Sequence, residues 1–279
     1  MGAPRVPLSL TDPDAPAVAP VSQADRIVAM DVLRGFVLLG ILVMNIQSFA
    51  MPIAAYANPT AYGDLTGANL WVWIAGHVFF DQKFMAVFSM LFGAGIALMS
   101  GRAGAEAGTL HHRRMAWLIV FGLLHAYVLW YGDILFTYGV CGLVAFACRD
   151  MKPSALLPAA FALLLAGAAI PVALGSTVPP DKLAEMSAQD WKPAPEVIDA
   201  ELTAYRGGFL AQSRHRVPES LKFQTFYLLF TVFWRVLGHM LLGMALFRLE
   251  VVTARLAPRQ YAALALLGFG VGLPLVIAG

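Results

Sequence analysis

Residues 113–149 read RRMAWLIVFGLLHAYVLWYGDILFTYGVCGLVAFACR. Two apolar runs, 115–131 and 133–149, approach the ~20 residues that a helix needs to cross a bilayer. Arg113 and Arg114 stand before the first run and Arg149 ends the second, while the turn around Gly132 contains no Lys or Arg. The stretch reads as a membrane hairpin with both ends on one side. Five further runs of similar character lie near 31–51, 72–99, 155–175, 223–247 and 260–278. The expected fold is an all-α, polytopic transmembrane helical bundle of about seven spanning helices.

Composition agrees. Charged residues make up 13% of the 279 residues, about half the roughly 25% usual in soluble domains, and 59% are hydrophobic. A soluble fold of this size would lack the charge to cover its surface. A disordered or nucleic-acid-binding chain would carry far more than a net charge of +2. Cys141 and Cys148, seven apart in one helical run, sit about 10 Å apart and cannot pair with each other. Residues 1–25, rich in Pro, Ala and Asp, read as a disordered cytoplasmic tail. The chain stops at Gly279 on an apolar run, so the sequence reads as an incomplete portion of a larger bundle.

Basic residues cluster in alternate loops: Arg5 and Arg26; Arg102, Arg113 and Arg114; Arg149 and Lys152; Arg248, Arg255 and Arg259. The positive-inside rule then puts the N-terminus in the cytoplasm and predicts a multi-pass membrane protein. Segment 176–222 should be external. It holds 13 charges, all between Asp181 and Lys222 and Arg216 among them, with basic and acidic side chains in balance. Its prolines bracket an interfacial helix from about Pro195 to Ala211.

An ionisable side chain at membrane depth is costly unless it faces protein or water, so each such residue is a functional candidate. They are Asp31, Arg34, His77, Asp81, Lys83, His125, Asp133, Arg235 and His239, with Asn45 and Gln47 as polar neighbours. Asp31 and Arg34 share a face at the start of the first helix and could simply be a helix-end ion pair. Arg235 and His239, spaced i and i+4, share a face of the sixth. Asp81 and Lys83 point to different faces, and Asp81 suits Arg235 as a partner. At 1.5 Å per residue Asp133 should lie about 12 Å from His125, too far to touch it, which leaves Asp81 as the carboxylate to orient a histidine. His111, His112, Arg113 and Arg114 resemble a metal cluster but read more simply as a lipid-headgroup contact. Gly93, Gly95, Gly238 and Gly243 suit close helix packing.

Three segments together, RIVAMDVLRGFVLLGILVMNIQ (26–47), FDQKFMAVFSMLFGAG (80–95) and RRMAWLIVFGLLHAYVLWYGDILFTYG (113–139), carry a family likeness. With the GHMLLGMAL run from Gly238, the chain resembles the YeiB-like family of bacterial inner-membrane proteins, which is defined by a domain of unknown function. The DVLRG opening is also distantly similar to the first helix of transmembrane acyltransferases. In those that modify surface polysaccharides, a basic residue is followed eleven positions later by a catalytic His. Here Arg34 is followed at that distance by Asn45, so the histidine must come from elsewhere, His125 or His77.

That resemblance implies transfer of an acyl group from cytoplasmic acyl-CoA, the donor rather than a tightly bound cofactor, to a glycan or lipid acceptor. In that scheme Arg34, Arg113 and Arg114 bind the CoA phosphates, with Asp31 orienting Arg34. His125 serves as general base or acyl carrier, Asp81 or Asp133 assists it, and Asn45 donates to a developing oxyanion. Lys83, Arg235 and His239 complete the substrate-binding file. No metal or nucleic acid is expected. The alternatives are a small-anion or lipid-precursor transporter centred on Arg235, His239 and His125, and a scaffold without chemistry.

Overall fold

The structure, a computed structural model, describes residues 26–278; the expected tail, 1–25, and Gly279 lie outside the described residues. Thirteen helices and no strand occur among the described residues: α1 (Val28–Ala50), the single turn α2 (Ala54–Ala57), α3 (Ala68–Ala75), α4 (Lys83–Ala103), α5 (Ala107–Leu124), α6 (Leu135–Ala147), α7 (Pro153–Gly175), α8 (Pro180–Trp191), α9 (Pro195–Arg206), α10 (Phe209–Lys222), α11 (Phe233–Arg248), α12 (Pro258–Leu267) and α13 (Leu273–Ala278). Below, the end of the bundle where α1 begins is called proximal and the end where it finishes distal. Proline opens α7, α8, α9 and α12. Its fixed φ suits a first helical position, and its missing N–H removes a donor that would go unsatisfied there.

Five helical stretches are long and apolar enough to cross a membrane: Val28–Ala50, Ala68–Leu129, Pro153–Gly175, Phe209–Arg248 and Pro258–Ala278. At 62 residues the second is too long for one crossing. It turns at Gly104 (φ 51), which divides it into two of the expected segments, and it also breaks at Gln82 (φ 59), inside the run 72–99 expected to be continuous. Leu135–Ala147 is the expected fourth segment, but at 13 residues it spans only about 20 Å.

In lipid there is no hydrophobic force between helices, so close backbone approach has to supply the attraction. The contact between α4 and α11 is built that way. A Cβ at Gly93 would overlap the backbone of Met240, and one at Gly243 the backbone of Met90. Around this contact Ile96, Tyr138, Cys141, Phe146, Leu156, Val236, Met240 and Met244 form the main core. α1 packs on α4 through Val37, Ile41 and Leu91. Outward faces remain apolar and open, with Phe36 on α1 62% and Val172 on α7 72% exposed. So much exposed apolar area marks a lipid-facing surface.

Segment 176–222 forms three helices, α8, α9 and α10, where the proline pattern predicted one; α10 then continues through a π-helical stretch, Phe223–Val232, into α11. These helices dock onto the chain just beyond α1. The Ile53 amide donates to Glu201 Oε1 (2.9 Å) and Asn58 Nδ2 to the Trp191 carbonyl (2.9 Å). Burial pushes the Glu201 carboxyl above its ordinary range. A raised carboxyl pKa adds stability below the ordinary carboxyl value, and that stability is lost as pH rises through the raised one. Glu201→Gln keeps an acceptor for the Ile53 amide without the charge. It should match the wild-type melting temperature near pH 4 and exceed it near pH 7, roughly the span in which such a group titrates.

Candidate functional site

The site begins with two helix breaks. α5 ends at Leu124 and His125 opens a π-turn that runs to Leu129, with Trp130 N–H bonding back to the His125 carbonyl (2.9 Å). The chain then doubles back, and α6 starts at Leu135. Gly122 lets the Leu135–Phe136 backbone lie directly against α5. Asp133 is thereby brought beside His125, with Nδ1 to Oδ1 at 3.0 Å. This corrects the 12 Å estimate, which extended a helical rise across a break. It also makes Asp133, not Asp81, the carboxylate on His125.

The Asp133 side chain is 1% exposed and its two oxygens accept the amides of Leu135 (3.2 Å) and Phe136 (2.9 Å). A buried carboxylate held by main-chain donors and facing Nδ1 leaves Nε2 of the neutral ring as the free base. The His125 side chain is 33% exposed, open enough to meet a reactant.

A π-turn at a helix end strands carbonyls without intrahelical donors. α10 supplies them. Arg216 Nε donates to the Tyr127 carbonyl (3.2 Å) and Nη1 to that of Leu129 (3.4 Å), while Ser220 Oγ donates to that of Ala126 (2.8 Å). Arg216 is 2% exposed and Ser220 fully buried, so a cation sits at the negative end of α5. The sequence placed Arg216 among balanced loop charges; its spacing of four from Ser220, on one face, was the only available signal.

The second break has the same elements. α3 ends in a π-turn, Gly76–Phe80, holding His77. Asp81 and left-handed Gln82 follow, and Lys83 Nζ donates to the His77 carbonyl (2.7 Å). Tyr56 Oη and Gln82 Nε2 donate to Asp81 Oδ1 (3.3 and 3.1 Å), while His77 Nδ1 stands 3.7 Å from Oδ2. Burial, and then the Asp81 carboxylate, push the Tyr56 phenol up, so it remains a donor. His77 stacks on Trp73, with centroids 5.1 Å apart. Tyr56, Trp73, His77 and Asp81 line a distal cavity of about 380 Å³ with Gln47 and Trp191.

Other expected pairings are redistributed. Arg235 Nη2 reaches Gln82 Oε1 (2.7 Å) instead of Asp81, because Gln82's left-handed backbone turns its side chain toward α11. Lys83 serves its own π-turn and so needs no partner on another helix. His239 is half-buried on α11, and Asn45 half-buried on α1.

At the proximal end Asp31 and Arg34 do pair (3.3 Å), and Arg34 also donates to the Leu91 carbonyl (3.4 Å) in the space left by Gly95. Arg113 and Arg114 are exposed nearby. His111 departs from the headgroup expectation. It is 1% exposed, stacked on Phe146 (4.3 Å) and bonded to the Gly142 carbonyl (3.0 Å), whereas its neighbour His112 is exposed. Among the described residues no group of three or more His, Cys, Asp or Glu side chains could hold a metal ion.

Apolar outer faces, glycine-mediated helix contacts and buried polar pairs at helix breaks define a multi-pass helical membrane protein. Its relatives make it a YeiB-like one. It is 30% identical over 242 residues to the uncharacterised protein YeiB of Escherichia coli K12, a match covering 85% of this chain and 60% of YeiB. It is 32% identical over 161 residues to the uncharacterised YxaH of Bacillus subtilis 168, covering 53% of this chain and 39% of YxaH. A 30% match over 136 residues links it to an uncharacterised protein of Bacillus acidopullulyticus, covering 48% of this chain and 37% of that protein. The chain thus spans less than two thirds of the length of each of these relatives. No family model and no solved structure matches it.

Proposed function

We propose that this protein is a transmembrane acyltransferase of the inner membrane that moves an acyl group from cytoplasmic acyl-CoA to an acceptor hydroxyl at the distal side. The observation that supports it best is the His125–Asp133 pair, 3.0 Å apart with the carboxylate buried and Nε2 free. A neutral imidazole held in one tautomer by a carboxylate is the arrangement that general-base activation of a hydroxyl requires. The positive-inside rule makes the arginine-rich proximal end cytoplasmic. Arg34, Arg113 and Arg114 stand there, suited to the phosphates of CoA.

In the transfer step Nε2 of His125 takes the proton of the acceptor hydroxyl as its oxygen bonds the thioester carbonyl carbon. The carbon–sulfur bond then breaks, and the imidazolium returns the proton to the departing CoA sulfur. Asn45 serves as donor to the carbonyl oxygen while negative charge develops on it. Acetyl-CoA added to the purified protein should raise its melting temperature in the wild type, and much less in an Arg34→Ala, Arg113→Ala variant. Equal shifts in both would remove the donor site from the proposal.

A transporter for a small solute is the second reading, favoured by the break in the crossing helix at Asp81–Gln82 and the Arg235 contact beside it. Proton-coupled uptake into vesicles without any acyl transfer would support it.

A further inference from the structure

We infer that the distal cavity around His77 and Asp81 is a binding site for a neutral pyranoside. Its role as the acceptor site rests on the acyl-transfer reading; its capacity to bind does not. The lining is amphipathic in the way a sugar ring is. Trp73, Trp191 and Tyr56 supply aromatic surface for the ring's C–H face, and Gln47, His77 and Asp81 supply polar groups for the hydroxyl rim. Hydroxyls donate and accept, and the cavity offers both functions. Asp81 Oδ1 already accepts from Tyr56 and Gln82, while Oδ2 has only His77 at 3.7 Å and is open to a hydroxyl. The amide of Gln47 both donates and accepts.

Other ligand classes fit less well. Among the described residues no Lys or Arg lines the cavity, and Lys83, the nearest in sequence, is engaged with the His77 carbonyl, so no permanent cation there compensates a phosphate or free carboxylate. An acyl chain would offer no partner to Gln47, His77 or the open Asp81 Oδ2. It has a better seat in the apolar groove of about 410 Å³ lined by Leu157, Phe161, Leu164 and Leu242. A quaternary ammonium would use the aromatic faces but has no hydroxyl to offer Gln47, His77 or the open Asp81 Oδ2. Trp191 reaches the cavity from α8, its carbonyl bonded by Asn58, so the segment after α7 supplies part of the cavity wall.

The test is a titration of the full chain, purified in a detergent without a sugar headgroup, with methyl glycosides of glucose, galactose and N-acetylglucosamine. Binding is read by tryptophan fluorescence and by calorimetry. At least one glycoside should bind saturably, and Asp81→Asn and Trp191→Ala should each weaken it by roughly tenfold, the worth of one lost charged hydrogen bond or aromatic contact. Trp191 is 57% exposed, so its removal leaves the fold in place. Phe161→Ala, in the apolar groove, should leave the affinity unchanged. Absence of binding, equal affinity in the Trp191→Ala and Asp81→Asn variants, or preference for tetramethylammonium overturns the site. Acyl transfer to some other acceptor, with no glycoside bound, would overturn this inference alone; glycoside binding without acyl transfer would keep the site and remove only the transfer reading.

Discussion

Arg216→Ala should lower the stability of the bundle by about 2–4 kcal/mol, because two part-buried carbonyls lose a charged donor together. The Tyr127 and Leu129 carbonyls lie at the end of a π-turn, where no later amide can reach them. A small side chain admits no substitute donor to a position that is 2% exposed. For a chain of this size the loss corresponds to a fall in melting temperature of roughly 5–10 °C. Arg216→Lys should recover only part of it, since an ammonium cannot span two carbonyls as the guanidinium fork does. Ser220→Ala removes a single neutral donor and should cost about 1 kcal/mol. Thermal unfolding of the purified variants measures all three, and an Arg216→Ala variant as stable as the wild type would mean that α10 does not hold the His125 turn.

Asp133→Asn should reduce acyl transfer by about 10²–10⁴-fold, the usual worth of a positioned general base. The amide can present its N–H₂ to Nδ1, which moves the ring proton to Nε2 and leaves no base facing the acceptor. Its oxygen still accepts from the start of α6, so the fold should survive, and a melting curve run alongside separates lost chemistry from lost structure. Asp81→Asn is expected to behave differently, raising KM for the acceptor while kcat falls little, because Asp81 lines the cavity and does not touch His125. A collapse of kcat in Asp81→Asn together with normal turnover in Asp133→Asn would reverse the two assignments.

The spanning segments could be read from the sequence because hydropathy is a local property, and the seven expected runs fall largely on helices, although 72–99 is interrupted at Asp81–Gln82 and 133–149 is helical only over Leu135–Ala147. Glycine packing was legible too: Gly93, Gly238 and Gly243 all lie at close contacts. What escaped the sequence depends on where a helix stops. Nothing in HAYVLWYGD announces that regular spacing ends at Leu124, so a straight helix separates His125 from Asp133 by about 12 Å where the real chain folds them together. Arg216 was hidden for a different reason. In a segment crowded with balanced charges one buried guanidinium has no compositional mark, and only the carbonyls of a distant π-turn explain it. Trp191 reached the cavity in the same way, carried there by α8 from a segment read as a loop.

The most direct test of the account is transfer itself. Proteoliposomes containing the purified chain would be given acetyl-CoA labelled in its acetyl group together with a methyl glycoside, and the label followed. Label should leave CoA and appear as an ester on the glycoside, the rate should fall at least about 100-fold in His125→Ala, and Arg216→Lys should retain part of it. Label that stays on CoA with the wild-type protein, or transfer by His125→Ala at the wild-type rate, would contradict the account.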